Sequence, residues 1–122
     1  MKKVISVTIA ILFVLSLAAC SSLKKEEIVG EYELISFSMK DGSINYTEEQ
    51  LSQLKETGKV ATLVIRDDDT ATMDIFGSKT EMTYKASSGI FVISGQNAKG
   101  KFENGIFTLY DNSATMEFRK VS

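Results

Sequence analysis

From Ile28 to Val121 apolar and polar residues largely alternate with a period of two, and Gly, Asn, Asp or Ser breaks the alternation about every eight to twelve residues. Such a chain makes short antiparallel strands, each with one buried and one wet face. Eight strands are expected: Gly30 to Met39, Val60 to Arg66, Thr70 to Phe76, Lys79 to Lys85, Ile90 to Ser94, Lys99 to Glu103, Ile106 to Tyr110 and Ala114 to Lys120. After the first strand the links are only about two to five residues long. A parallel crossover needs a dozen or more, so successive strands must be neighbours in an antiparallel up-and-down meander. Pairing the two ends of the meander removes exposed edges, which favours a small closed barrel over an open sheet. The 122 residues leave room for one such all-β domain.

The one long link carries a helix. Asp41-Gly42 is a turn, and Thr47-Glu48-Glu49-Gln50 is a capping box in which Thr47 caps the helix and Gln50 reaches back. Tyr46 and Leu51 form a hydrophobic staple, and Gly58 supplies the left-handed stop. Leu51 and Leu54 face inward, so the short helix Thr47 to Thr57 is expected as a lid or plug over an open end. The inward side chains of the strands are Tyr32, Leu34, Leu63, Ile65, Met73, Ile75, Met82, Tyr84, Phe91, Ile93, Phe102, Phe107, Leu109, Met116 and Phe118. An eight-stranded barrel is about wide enough to be packed solid or to hold one small ligand, and the composition leaves both open. Met73, Met82 and Met116 fit either case, since Met fills irregular gaps and also lines adaptable apolar sites.

The N-terminus has a different character. Met1-Lys2-Lys3 precedes an uncharged run of 20 residues, Val4 to Leu23: a positive n-region and an apolar h-region, read as an export signal helix. The run contains Leu17-Ala18-Ala19-Cys20-Ser21, with the chain's single Cys directly after two small residues. This segment resembles the bacterial lipobox, Leu-[Ala/Ser]-[Gly/Ala]-Cys. The resemblance implies that residues 1–19 are a lipoprotein signal peptide cut between Ala19 and Cys20, and that the Cys20 sulfur carries diacylglycerol. Residues 20–27 would be a lipidated tether and 28–122 the barrel, held at the extracytoplasmic face of a bacterial cell membrane. Two or more acyl chains make such anchoring stable, at about 0.8 kcal/mol per buried methylene. The rival reading is a retained helical anchor, since 20 uncharged residues just span a bilayer.

Composition removes several function classes. The chain has no His, which excludes Ser-His-Asp and Cys-His catalysis and His-ligated metals, and its lone Cys excludes an internal disulfide. Without Lys2 and Lys3 the balance is 12 basic against 16 acidic residues, or −4, with no basic stripe for nucleic acid. Asp67-Asp68-Asp69 lacks the spacing of a Ca²⁺ loop, which would need an oxygen ligand at Ala71 and a Gly at Thr72, and reads as a polar turn. Asp74 and Glu81 fall in the solvent-facing phase, where they cannot serve as an interior acid and base. Lys99-Gly100-Lys101 lacks the context of a phosphate cradle and reads as a charged turn.

Gly30-Glu31-Tyr32 on the first strand is similar to the lipocalin Gly-x-Trp, with Tyr for Trp, and Arg119 and Lys120 end the last strand. From Ile28 to Val121 the chain resembles the calycin or lipocalin-like barrels, in particular small bacterial lipoproteins of that type. The resemblance implies that the aromatic closes the barrel base and that a late Arg or Lys packs across it. Lys120 shares the phase of Met116 and Phe118, whereas Arg119 has the opposite one. The functional expectation is a monomeric, non-enzymatic module, without metal or cofactor, that binds a small apolar or amphipathic ligand at the mouth near the helix. Its candidate ligand residues are Tyr32, Leu51, Leu54, Met73, Met82, Tyr84 and Met116. The alternative is a solid-core interaction or inhibitor protein that meets a cell-envelope partner through its outer surface. A small hydrolase or isomerase would need an inward carboxylate.

Overall fold

The computed structural model describes residues 23–122. The expected signal helix, the cleavage site at Ala19 and Cys20, and the lipidation of Cys20 lie outside the described residues. In chain order the elements are α1 (Lys25–Ile28), β1 (Gly30–Met39), β2 (Asn45–Tyr46), α2 (Glu48–Glu56), β3 (Ala61–Ile65), β4 (Thr70–Ile75), β5 (Ser78–Lys85), β6 (Ile90–Ile93), β7 (Gln96–Glu103), β8 (Ile106–Tyr110) and β9 (Ala114–Lys120). Every pairing is antiparallel between neighbours, and β9 returns to β1 from Met39↔Ala114 to Tyr32↔Lys120. Strands β1 and β3 to β9 thus close the expected eight-stranded barrel. β2 is a two-residue strip on the upper half of β1, too short to register as alternation.

Tight turns set the meander. Phe76-Gly77, Ser94-Gly95 and Asn104-Gly105 each have positive φ at both positions (55° and 95°, 52° and 81°, 54° and 77°), the paired left-handed geometry whose twist matches the flanking strands. Gly, Asn and Ser suit these positions far better than Phe does.

All fifteen side chains expected inward belong to the core, either buried or packed half-buried against it. An aromatic column packs across the base of the barrel. Tyr84 stacks on Phe91 at 5.0 Å between ring centroids, Phe91 meets Phe107 edge-on at 5.2 Å, and Tyr32 continues to Phe107 at 5.8 Å and Phe102 at 6.4 Å. Gly100 makes room for it. The Lys99-Gly100-Lys101 segment lies inside β7, as the expected strand Lys99 to Glu103 has it, and is not a charged turn; a Cβ at Gly100 would stand 2.7 Å from the rings of both Phe91 and Phe107. A strand glycine here marks close approach of backbone to neighbour.

The base is plugged by α1. Ile28 is fully buried, and its carbonyl accepts a 2.6 Å hydrogen bond from the Tyr32 hydroxyl. The Lys120 ammonium donates to the Glu27 carbonyl at 2.7 Å and lies 5.9 Å from the Phe102 ring centre, so Lys120 is the late cation that crosses the base. Lys25 pairs with the Asp69 carboxylate and donates to the Asp67 carbonyl at 3.1 Å, while the Leu23 N–H donates to Ala86 O at 2.6 Å. The part of the expected tether from Leu23 onward is therefore docked on the barrel. Its four-residue helix was too short to show a period.

α2 has the expected caps: Thr47 and Gln50 bond reciprocally, and the Gly58 and Lys59 N–H groups close on Lys55 O and Leu54 O, each at 3.0 Å. Its place differs from the expected lid. Arg119 binds Glu48 at 2.7 Å and Lys55 binds Glu33 at 3.0 Å, and both Arg119 and Glu33 point outward from the lower halves of β9 and β1. The helix lies along the barrel wall against β1, and sends Leu51 into the core.

Candidate ligand cleft beside α2

The cleft arises from a break in the wall. β1 and β3 pair only from Gly30↔Ile65 to Glu33↔Thr62. Just above, the β1–β9 register slips between Leu34 and Ser36, a bulge that bends β1, which then takes β2 as its neighbour. A cleft of about 310 Å³ opens between the separating strands and α2. Its size is at the low end of small-molecule sites, roughly 300 to 1,000 Å³. Tyr32, Leu34, Leu51 and Ala61 reach it from the core side, and Val60, Val64, Phe76 and Val121 add apolar surface. Glu31, Glu33, Lys55, Lys59 and Thr62 form its polar part.

Two valines here are unusually bare: Val60 is 44% exposed and Val121 57%. The Phe76 ring is held in the cleft by a backbone that Phe rarely adopts, φ 55°, and packs edge-on to Tyr46 at 5.9 Å. Backbone of this kind costs about 1 to 2 kcal/mol and calls for a compensating role of the side chain. Lys55 is tied to Glu33, whereas Lys59 has no ion pair among the described residues. The hydrogen bond from Arg119 to Glu48 pushes the guanidinium pKa above its ordinary value. Exposed pairs such as these hold a helix weakly.

The expected ligand residues divide. Tyr32 and Leu51 line the cleft, and Leu54 is half-buried against the core beside it. Met73, Met82 and Tyr84 stand in the core, and Met116 is packed half-buried against it. The two phenols are occupied: Tyr32 donates to Ile28 O and Tyr84 to Arg66 O. Burial pushes the Tyr32 phenol pKa well above its ordinary value; burial likewise raises Tyr84, opposed by Lys25 and reinforced by Asp69. Sequence reasoning missed Val60, Val64, Phe76, Val121, Lys55 and Lys59. The available signal was apolar residues in the outward phase: Val60 and Val64 in the expected strand Val60 to Arg66, and Val121 just after the last strand, where it bonds to Glu31 of β1.

The other candidate groups have structural partners. Asp68 accepts from the Thr70 hydroxyl and N–H, which lowers its pKa, and Asp69 pairs with Lys25. Asp74 accepts from Gly77 N–H at 2.9 Å; Glu81 accepts from the Thr72 hydroxyl at 2.9 Å and lies 3.9 Å from Arg66. Among the described residues no polar or charged residue is buried, and no three His, Cys, Asp or Glu side chains gather as metal ligands.

The fold and the cleft together define a class: a closed up-and-down barrel of eight strands with an apolar core and a side cleft beside a helix. No family profile matches the chain, and no curated protein sequence does. Among solved structures it is similar to a DUF4847 family protein from Bacteroides vulgatus ATCC 8482, with a TM-score of 0.51 and 14% identity over 81% of this chain and 100% of that one. At that identity the likeness is one of fold alone.

Proposed function

We propose that this protein is a lipid-anchored lipoprotein of the bacterial cell envelope, a non-enzymatic lipocalin-like module that binds a small amphipathic ligand in the α2 cleft rather than inside the barrel. The observation that carries the reading is the exposed apolar surface of Val60 and Val121 beside buried Leu51, with the Lys59 ammonium at the edge for an acidic head group. A chain of a few methylenes laid on those residues would leave water at about 0.8 kcal/mol each. The lipobox at Leu17 to Cys20 supports the location.

The test is native mass spectrometry of the full protein purified from its host, with titration of a fluorescent fatty acid. The expected result is a released small amphiphile and a micromolar-range titration that Val60→Glu abolishes. No released molecule and no binding of the probe would overturn the cleft reading. A second reading is favoured by the filled interior: a packed barrel that meets an envelope protein through its outer surface. In that case Val60→Glu would lower recovery of a cross-linked envelope partner while the fatty acid never binds.

A further inference from the structure

Residues 23–28 do not behave as a tether. Leu23 is hydrogen-bonded to the 86–89 turn, Lys25 to the 67–69 turn, Glu27 to the end of β9, and Ile28 is sealed beneath Tyr32. Four separate pieces of the base hold the segment, so its first docked residue is a fixed point on the barrel. Between Leu23 and Cys20 lie only Ser21 and Ser22. Three Cα-to-Cα steps of about 3.8 Å allow at most ~11 Å. A free tether from Cys20 to Glu27 would have allowed more than twice that reach.

We propose that the barrel stands base-down on the lipid surface, with the turns at 67–69, 86–89 and 104–105 facing the head groups and the turns at 76–77, 94–95 and 111–113 facing away. The inference rests on the lipid-anchored reading of Cys20. The occupant of the base is a bilayer surface, identified by the length of free chain and by where that chain starts. Strands of between six and seven residues on average, at ~3.3 Å each and tilted by some 40°, lift the far turns roughly 17 Å above the near ones. Attraction of basic residues to anionic lipid plays little part: at the base Lys24, Lys25, Lys85 and Lys120 are offset by Glu26, Glu27, Asp67, Asp68 and Asp69. The pose comes from the short stem. In this pose the α2 cleft opens sideways from the barrel wall, accessible from the aqueous side.

With Cys20 consumed by lipid, one introduced cysteine labels uniquely. Ser88→Cys at the base and Asn112→Cys at the far end, both exposed positions, are made in the full chain and labelled with bimane. The proteins are reconstituted in phosphatidylcholine vesicles that carry a nitroxide head-group lipid. The expected result is at least threefold stronger quenching at 88 than at 112, and collapse of that contrast when twelve Gly/Ser residues are inserted between Ser22 and Leu23. Equal quenching on lipid-modified protein would overturn the pose and leave the anchor standing. Absence of a diacylglyceryl mass on Cys20 would overturn the anchored reading and the pose with it.

Discussion

The base of the barrel and its α2 flank are built from the same strands, yet they differ in how completely their surfaces are satisfied. At the base five aromatic rings pack in one column, Gly100 yields its side-chain space to them, and α1 seals the end with Ile28. On the flank β1 bulges away from β3, two valines stay largely in water, and the covering helix is pinned by exposed ion pairs. Stability is concentrated where the interior is filled. The flank contributes less to it and retains the surface on which another molecule can gain by displacing water.

The comparison breaks most directly through the column. Phe91→Ala leaves a cavity among Tyr84, Phe107 and Gly100, and is expected to cost about 3 to 5 kcal/mol in urea unfolding. A loss below about 1 kcal/mol would mean that the interior is loosely filled. Gly100→Ala tests the same packing from the other direction: its methyl enters at 2.7 Å from two buried rings and should cost about 1 to 3 kcal/mol. Probe binding on the flank should survive both substitutions in the molecules that stay folded.

Phe76→Asn sharpens the contrast. Asn accepts positive φ readily, so relief of backbone strain offsets the lost ring contacts, and stability should change by less than about 1 kcal/mol. Fatty-acid binding should fall at least fivefold, because the ring lines the cleft. Unchanged affinity would show that the Phe serves only its packing on Tyr46.

Much of this division was legible in the sequence. Alternation and turn residues located the eight barrel strands to within a few residues, the capping box located α2, and phase alone identified the core-facing side chains. Those signals are local and repeat along the chain. What escaped depends on pairing between distant segments. Gly100 reads as a turn until Phe91 and Phe107 are seen to flank it, and α1 has no period because four residues carry none. The cleft follows from a bulge at Leu34/Ser36 that no alternation pattern marks. For Met73, Met82 and Tyr84 the inward position by itself does not tell a core from a pocket. Only the partners of Tyr84, a stacked Phe91 and the Arg66 carbonyl, place it in the core.

Acid and alkali should separate surface from interior. Hydrogen bonds from Ser43, Thr70 and Ser113 hold the carboxyls of Asp41, Asp68 and Asp111 below their ordinary range. Their folded form binds fewer protons than the unfolded chain, so their stabilisation is complete above about pH 4 and is lost as pH falls through the depressed values. The phenols of Tyr32 and Tyr84 are raised by burial, so stability holds below about pH 10 and falls as pH climbs toward their folded values. The urea midpoint should be flat between about pH 5 and 9, with a gentle acidic edge and a steeper alkaline one that Tyr84→Phe reduces. A step near pH 6.5 would contradict this, since the chain has no His.

The smallest effect concerns the pin itself. Lys55 and Glu33 meet at 3.0 Å on the surface, where water and salt screen the pair, and a double-mutant cycle of Lys55→Met and Glu33→Gln should give a coupling below about 1 kcal/mol. The same pair bridges α2 and β1 across the cleft, so its loss should change ligand exchange far more than stability. The expected outcome is an unfolding curve shifted within error and a fatty-acid off-rate raised severalfold in 0.15 M salt, with the difference from wild type narrowing at 1 M, where the native pair is screened too. If the off-rate does not move, the Lys55–Glu33 pair is incidental to the cleft, and Leu51 with the Arg119–Glu48 pair holds α2.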